Sequence, residues 1–202
     1  MLPNTIDKEM TAVIEQVRRS LVHLTNGSQG SGAGTIWHAD GLILTNAHVV
    51  QRHAPQVVLA DGRVFSSRLL AYDEALDLAA LSIDAHDLPT IELGNSRQLR
   101  PGHWVIAIGH PWGVLGAASA GTVIDVGVPL ELPRYPGDLI QVGLQLRPGH
   151  SGGPMVDGNG RLVGINTMIA GPQVGLAIPL HTAKQFLRDH LGRASEKLEL
   201  QH

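Results

Sequence analysis

Gly149-His150-Ser151-Gly152-Gly153-Pro154 is the stretch of this chain best suited to chemistry. Small residues around Ser151 let the backbone turn sharply and leave the hydroxyl free to attack a carbonyl. The backbone N–H groups of such a turn, from Gly149 through His150 to Ser151, can point together and stabilise an oxyanion by about 3 kcal/mol per donor. Gly-x-Ser-x-Gly also marks a nucleophile elbow, but that elbow joins a strand to a helix, and here β-like runs lie on both sides. His48, in Thr45-Asn46-Ala47-His48-Val49-Val50, follows the apolar run Leu42-Ile43-Leu44 and so sits at a strand's rim. Imidazole, which titrates near ~6.5 when unperturbed, can take the serine proton and return it to a leaving amine. Asp77 stands directly before Leu78-Ala79-Ala80-Leu81, where a carboxylate is partly buried and needs donors. The Nδ1–H of a histidine is one such donor, and accepting it would fix the tautomer and stabilise the imidazolium. Each residue alone has a plain alternative: a Gly-rich turn, one of eleven histidines, a strand-start aspartate.

Residues this far apart meet only on a suitable scaffold. From Gly27 to about Leu180, short runs rich in Val, Ile and Leu are broken by Gly, Pro, Asn and Asp at about the eight-to-twelve-residue rhythm of all-β folds. Eleven strands are expected between Gly34 and Pro179, too many for one sandwich. The expected fold is therefore all-β, two six-stranded-type barrels joined near Gly94–Pro101, with short N- and C-terminal helices. Met10, Val13, Ile14, Val17, Leu21 and Leu24 recur at helical spacing. The expected division is an N-terminal helical segment over 1–24, a first barrel over 25–97, a second over 98–180, and a C-terminal helix and tail over 181–202. His48 and Asp77 then belong to the first barrel and Ser151 to the second, and the cleft between them forms the site.

Composition removes several function classes. The 202 residues, 43% of them hydrophobic, can bury a substantial core. A net charge of −3 without runs of like charge gives no footprint for nucleic acid. The absence of cysteine excludes a disulfide scaffold and a thiol nucleophile. No apolar stretch approaches the ~20 residues of a membrane span, and Met1 to Ser20 carry charges at Asp7, Lys8, Glu15, Arg18 and Arg19, unlike a secretory signal. Gly30-Ser31-Gly32-Ala33-Gly34 lacks the Gly-Lys-Ser/Thr of a phosphate loop. His48 with His53 has no carboxylate at ligand spacing, so neither a metal nor another cofactor is expected.

The order His, Asp, Ser, with separations of 29 and 74 residues, is that of chymotrypsin-type enzymes. Thr45–Val50, Asp77–Leu81 and Gly149–Pro154 resemble the HtrA/Deg serine proteases. Leu99–Gly113 is similar to that family's entry into the second barrel, and Leu162–Thr167 and Gly175–Pro179 to its closing strands, so the likeness spans roughly residues 20 to 190. It implies a serine endopeptidase of bacterial protein quality control, with Ser151 as nucleophile, His48 as base and Asp77 orienting it, acting on unfolded or misfolded polypeptides. It also implies a cell-envelope or periplasmic setting, with the cytoplasm left open by the lack of a signal. Family members commonly carry a PDZ domain after the protease and trimerise through N-terminal aromatics. This chain ends about twenty residues past its last strand, so no PDZ domain is expected within it; the resemblance implies a homo-oligomer, a trimer, but without Phe, Tyr or Trp before Trp37 the family's usual route to it is not expected. His150 replaces the family's asparagine, and a neutral histidine cannot pair with a newly cut amino terminus as the aspartate of digestive enzymes does. Activation by N-terminal cleavage is therefore not expected. The resemblance puts Gln145 at the floor of the primary pocket, with Leu146, Ile169, Ala170, Gly171 and Ala177 around it. An uncharged floor implies small or medium aliphatic side chains rather than Lys or Arg. The direction of Arg147 stays open, and the rival readings are a silent peptide-binding or chaperone-like module with a collapsed oxyanion loop, and an esterase.

Overall fold

Leu42–Thr45 and Leu78–Ile83 are apolar at nearly every position instead of every second one, and both are buried almost throughout. Strands of that kind have protein on both faces. A computed structural model of the chain describes residues 4–25, 31–51, 54–128, 135–171 and 173–192. Gly30, His53 and the tail at 193–202 lie outside the described residues.

The described strands form two closed antiparallel barrels of six. The first contains β1 (Leu21–Thr25), β2 (Ser31–His38), β3 (Leu42–Thr45), β4 (Gln56–Val58), β5 (Val64–Asp73) and β6 (Leu78–Ile83), in the order β1-β2-β3-β6-β5-β4. The second contains β7 (Trp104–Gly109), β8 (Ala117–Gly127), β9 (Leu139–Val142), β10 (Pro154–Asp157), β11 (Leu162–Gly171) and β12 (Val174–Pro179), in the order β10-β11-β12-β9-β8-β7. Closure pairs the strand edges that an open sheet would leave to other chains. Helix α1 (Asn4–Arg18) precedes the barrels, the single turn α2 (Ala47–Val50) follows β3, and α3 (Leu180–Leu191) follows β12.

Alternate side chains divide the core into three. Val22, Leu24, Ile36, Ile43 and Leu81 fill the first barrel. Val105, Ala107, Ile140, Val142 and Met155 fill the second. Their neighbours Leu42, Leu44, Leu78 and Ala80 face the other way and meet Ile106, Ile108, Ile165 and Ile178 across the interface, under Phe186 and Leu187 of α3. The double-sided strands β3 and β6 thus end beside the second barrel, which is where His48 and Asp77 emerge.

The expected helix to Leu24 is corrected. It stops at Arg18, Ser20 Oγ bonds to the Val17 carbonyl at 2.9 Å, and Leu21–Thr25 pairs with both β2 and β4. Leu21 and Leu24 continue the helical stripe, yet in the strand they lie on opposite faces, Leu21 in the inter-barrel core and Leu24 inside the first barrel, so sheet pairing overrides the helical spacing. The described strands therefore number twelve, one more than expected.

Phe186, 1% exposed in the inter-barrel core, gives a direct test of this packing. Phe186→Ala is expected to lower unfolding free energy by about 3–5 kcal/mol, from lost burial plus the cavity left behind. Urea unfolding of both proteins measures it, and a loss below about 1 kcal/mol would contradict the interface described.

Candidate active site

Asp77 sits in the turn between β5 and β6 with φ +56°, a left-handed conformation that costs a non-glycine residue about 1–2 kcal/mol. The surroundings hold it there. Asn46 Nδ2 donates to its carbonyl at 3.0 Å. Its carboxylate is buried, Oδ1 accepts the His48 backbone N–H at 3.0 Å, and both oxygens lie 2.9 Å from His48 Nδ1. Thr167 Oγ1 of β11 donates to Oδ2 at 2.6 Å, so the second barrel completes a site begun by the first. A carboxylate facing Nδ1 keeps the proton there and leaves Nε2 as the basic atom. The His48 side chain is 49% exposed and opens into a cleft with Tyr72, Glu74, Thr167 and Met168 on its walls.

The Ser151 loop is held by backbone contacts. Ala33 N–H of β2 donates to the Ser151 carbonyl at 2.9 Å, and Gly152 N–H to the Asn166 carbonyl at 2.9 Å. Gly152 has φ +83°, and a Cβ there would stand 2.1 Å from the Ala33 carbonyl oxygen and 2.2 Å from Thr45 Oγ1, so only glycine lets the barrels approach this closely. Gly149, at φ +104°, lies as tightly against the His110 carbonyl, and its own carbonyl accepts the His110 N–H at 2.8 Å. The Pro148 carbonyl accepts from Trp112 N–H at 3.3 Å, which turns the N–H of the planar Pro148–Gly149 peptide the opposite way. Among the described residues, the N–H groups of Gly149 and Ser151 have no acceptor. The His150 N–H does have one, the Arg147 carbonyl at 3.0 Å, so the expectation that it joins the oxyanion donors is corrected. Ser151 Oγ donates to the Thr167 carbonyl at 2.9 Å, and among the described residues it makes no hydrogen bond to His48.

The pocket expectations fare unevenly. Gln145 is exposed and its carboxamide oxygen accepts from the Arg147 guanidinium. Arg147 lies 4.9 Å over the Trp112 ring, which fixes its direction. Leu146 is buried with its Cγ 2.9 Å from where a Cβ at Gly175 would be, and Ala177 is enclosed in the second barrel. Ile169 is half exposed, with Ala170 and Gly171 partly buried beside it at the end of β11. Thr167, Asn46, Asn166 and His110 are contributors that motif reading missed. Asn166 Nδ2 donates to the carbonyls of Ile108 and Pro154 at 3.1 Å each. A polar pair ending the apolar run Leu162-Val163-Gly164-Ile165 was the available signal, since buried polar groups require partners.

Residues 32–165 match the model of the trypsin-like peptidase domain. The chain belongs to the trypsin-like peptidase family. HhoB of Synechocystis sp. is 39% identical over 166 residues, covering 77% of this chain and 39% of HhoB. Serine protease HTRA1 of Xenopus laevis is 35% identical over 198 residues, covering 91% of this chain and 43% of HTRA1. A solved structure of the HtrA-type protease AlgW with a tripeptide matches at a TM-score of 0.83 and 33% identity, covering 89% of this chain and 62% of that one. This peptidase chain thus spans about two fifths of the length of the curated relatives it matches, and what it shares with these HtrA proteins is the protease domain.

Behind the Ser151 loop stands a buried imidazole. His110 Nδ1 accepts the Gly116 N–H at 3.2 Å, and the ring lies 4.9 Å from that of His23. Burial, then the neighbouring His23, pushes its pKa down to about 4. A histidine held below its unfolded value of ~6.5 makes the folded state the poorer proton binder. Its stabilising contribution is complete above pH ~6.5 and is lost as the pH falls toward 4, by up to about 3 kcal/mol. Burial lowers His23 and His150 in the same direction. His110→Asn keeps an oxygen for the Gly116 N–H but does not titrate, so its urea midpoint is expected to fall less than the wild type's between pH 7 and pH 4.5. Equal falls would refute the assignment.

Proposed function

We propose that this chain is a serine endopeptidase that cleaves unfolded or misfolded polypeptides through Ser151, His48 and Asp77. The reading is carried by the Asp77 carboxylate, which takes donors from His48 on one barrel and Thr167 on the other, beside a serine loop with two free N–H groups. Substrate main chain lying along the end of β11 offers its N–H to the Thr167 carbonyl and displaces the Ser151 hydroxyl. Rotation about χ1 then brings Oγ to His48 Nε2. Nε2 takes the proton as Oγ attacks the carbonyl carbon, and the N–H groups of Gly149 and Ser151 receive the oxyanion. The imidazolium, steadied by Asp77, protonates the leaving amine and leaves an acyl-enzyme. Water then attacks the ester, giving its proton to Nε2, and the serine is restored with release of the acid.

Leu146 packed over Gly175 supports a shallow apolar pocket, and so supports small or medium aliphatic side chains before the cleaved bond. The outward Pro148 carbonyl opposes the silent module with a collapsed loop. Ser151→Ala is expected to abolish fluorophosphonate labelling and to lower casein cleavage by about 10⁴-fold or more. Labelling that survives the substitution would place the nucleophile elsewhere, and a peptide-library profile led by Lys or Arg would overturn the pocket assignment. Thr167→Val removes one charge-assisted donor from Asp77 and is expected to lower kcat about tenfold or more with little change in KM. A KM effect alone, read from initial rates on a peptide substrate, would contradict that role.

A further inference from the structure

His150 is a titratable ring, 1% exposed, one residue before the proposed nucleophile. Its Nδ1 lies 3.1 Å from the Arg147 N–H and 3.2 Å from the Arg147 carbonyl. That carbonyl already accepts the His150 backbone N–H at 3.0 Å, whereas the Arg147 N–H has no other acceptor among the described residues. The pairing that satisfies both groups is a neutral ring with a bare Nδ1, its proton on Nε2, which is buried without a partner. The turn so closed, Arg147-Pro148-Gly149, ends in the peptide that supplies the Gly149 N–H. Its far side is fixed by Trp112 and by His110, through the Pro148 and Gly149 carbonyls.

We propose that His150 is a positioning residue whose bare Nδ1 holds the Arg147 N–H and so aims the Gly149 N–H at the oxyanion, and that protonating this ring releases the loop and switches the enzyme off in acid. The inference rests on the endopeptidase reading above. A protonated ring carries donors at both nitrogens, so Nδ1 can no longer accept the Arg147 N–H and turns its proton to the Arg147 carbonyl 3.2 Å away, while the buried Nε2–H stays without a partner and the ring carries a full charge. The groups that face the ring are Arg147 on its own loop and His110 at the end of β7, with His23 of β1 packed on His110. Farther out, Arg18 of α1 donates to the Gly116 carbonyl at 2.7 Å and pairs with Glu15. No carboxylate among them contacts the His150 ring. Burial, opposed by the nearby Arg147 carbonyl and aided by the Arg147 charge, holds the ring below the ordinary histidine range, which keeps it an acceptor at neutral pH. His23, His110 and His150 do not form a metal site, since among the described residues no three such side chains are arranged to hold an ion.

The test compares kcat and KM against pH for wild type, His150→Ala and His150→Asn on one peptide substrate. Asparagine Oδ1 reproduces the acceptor and does not titrate. His150→Ala is expected to lower kcat about tenfold to a hundredfold at pH 8, less than the roughly 10²–10³-fold of a deleted oxyanion donor because the donor is misaimed and not removed, with KM moved less than about twofold. His150→Asn is expected to recover most of that loss and to change the acid limb of log kcat from a limiting slope of two to a slope of one. Nitrogen-15 spectra of the Ser151→Ala protein are expected to show the Nε2–H tautomer of His150 at pH 7, with the Arg147 amide shifting as the ring titrates. An Nδ1–H tautomer, a wild-type acid limb in His150→Asn, or full kcat in His150→Ala would overturn the proposal. If wild type neither cleaves peptides nor takes up fluorophosphonate at pH 8, the endopeptidase reading fails instead, and the tautomer and the Arg147 shift still decide what His150 holds.

Discussion

One buried carboxylate constrains the assembly of the two barrels. Removing an ion from water costs several kcal/mol unless its oxygens are fully occupied by donors. Asp77 meets that condition only with both barrels in place, because His48 supplies two N–H groups from the first and Thr167 supplies a hydroxyl from the second. The adjoining chain is tied the same way, since Tyr135, which follows β8, donates its hydroxyl to the Leu76 carbonyl at 3.1 Å. Burial, with Asp77 and Asp73 nearby, pushes the Tyr135 phenol well above its usual range and keeps it a neutral donor. Closure of the interface and construction of the candidate site are therefore a single event. Leu42, Leu44, Leu78 and Ala80 drive it by burying their outer faces against Ile106, Ile108 and Ile165.

Backbone approach then does what side chains cannot. Gly152 brings the serine loop against Ala33, and Gly149 brings it against His110, at separations that no Cβ would permit. With the Pro148, Gly149 and His150 carbonyls committed to Trp112, His110 and Gly153, the N–H groups of Gly149 and Ser151 have no acceptor among the described residues. Donors fixed in advance stabilise developing charge without a reorganisation cost at the moment of reaction. His110 and His150 suit this arrangement because, while neutral, they fill space behind the loop and each accepts a backbone N–H.

Much of this was legible in the residues. Leu42-Ile43-Leu44 and Leu78-Ala79-Ala80-Leu81 lack alternation because each is sandwiched between its own barrel and the other, and that burial made His48 and Asp77 conspicuous at their ends. Strand β1 was not legible, since Leu21 and Leu24 continue the helical period and, three residues apart, fall on opposite faces of a strand; only pairing with β2 and β4 sends Val22 and Leu24 into the first barrel and Leu21 into the interface. The His150 N–H was misjudged for a different reason: residue type does not encode which way a peptide plane faces inside a turn. The Gln145–Arg147 contact was not legible either, because a position six residues before the serine fixes a Cα and not where its side chain bonds.

Thr167 shows how far apart chemistry and motif can lie. Its hydroxyl binds Asp77 and its carbonyl holds the Ser151 hydroxyl, so one residue of β11 touches two of the three proposed catalytic groups and belongs to none of the motifs that announced them. A displacement of this peptide moves the orienting carboxylate and the nucleophile together. Groups coupled in that way act as a unit, and the effects of altering them do not add. The strand that lines the cleft is then also the strand that sets the relay, which ties occupation of the cleft to release of the hydroxyl without any separate moving part.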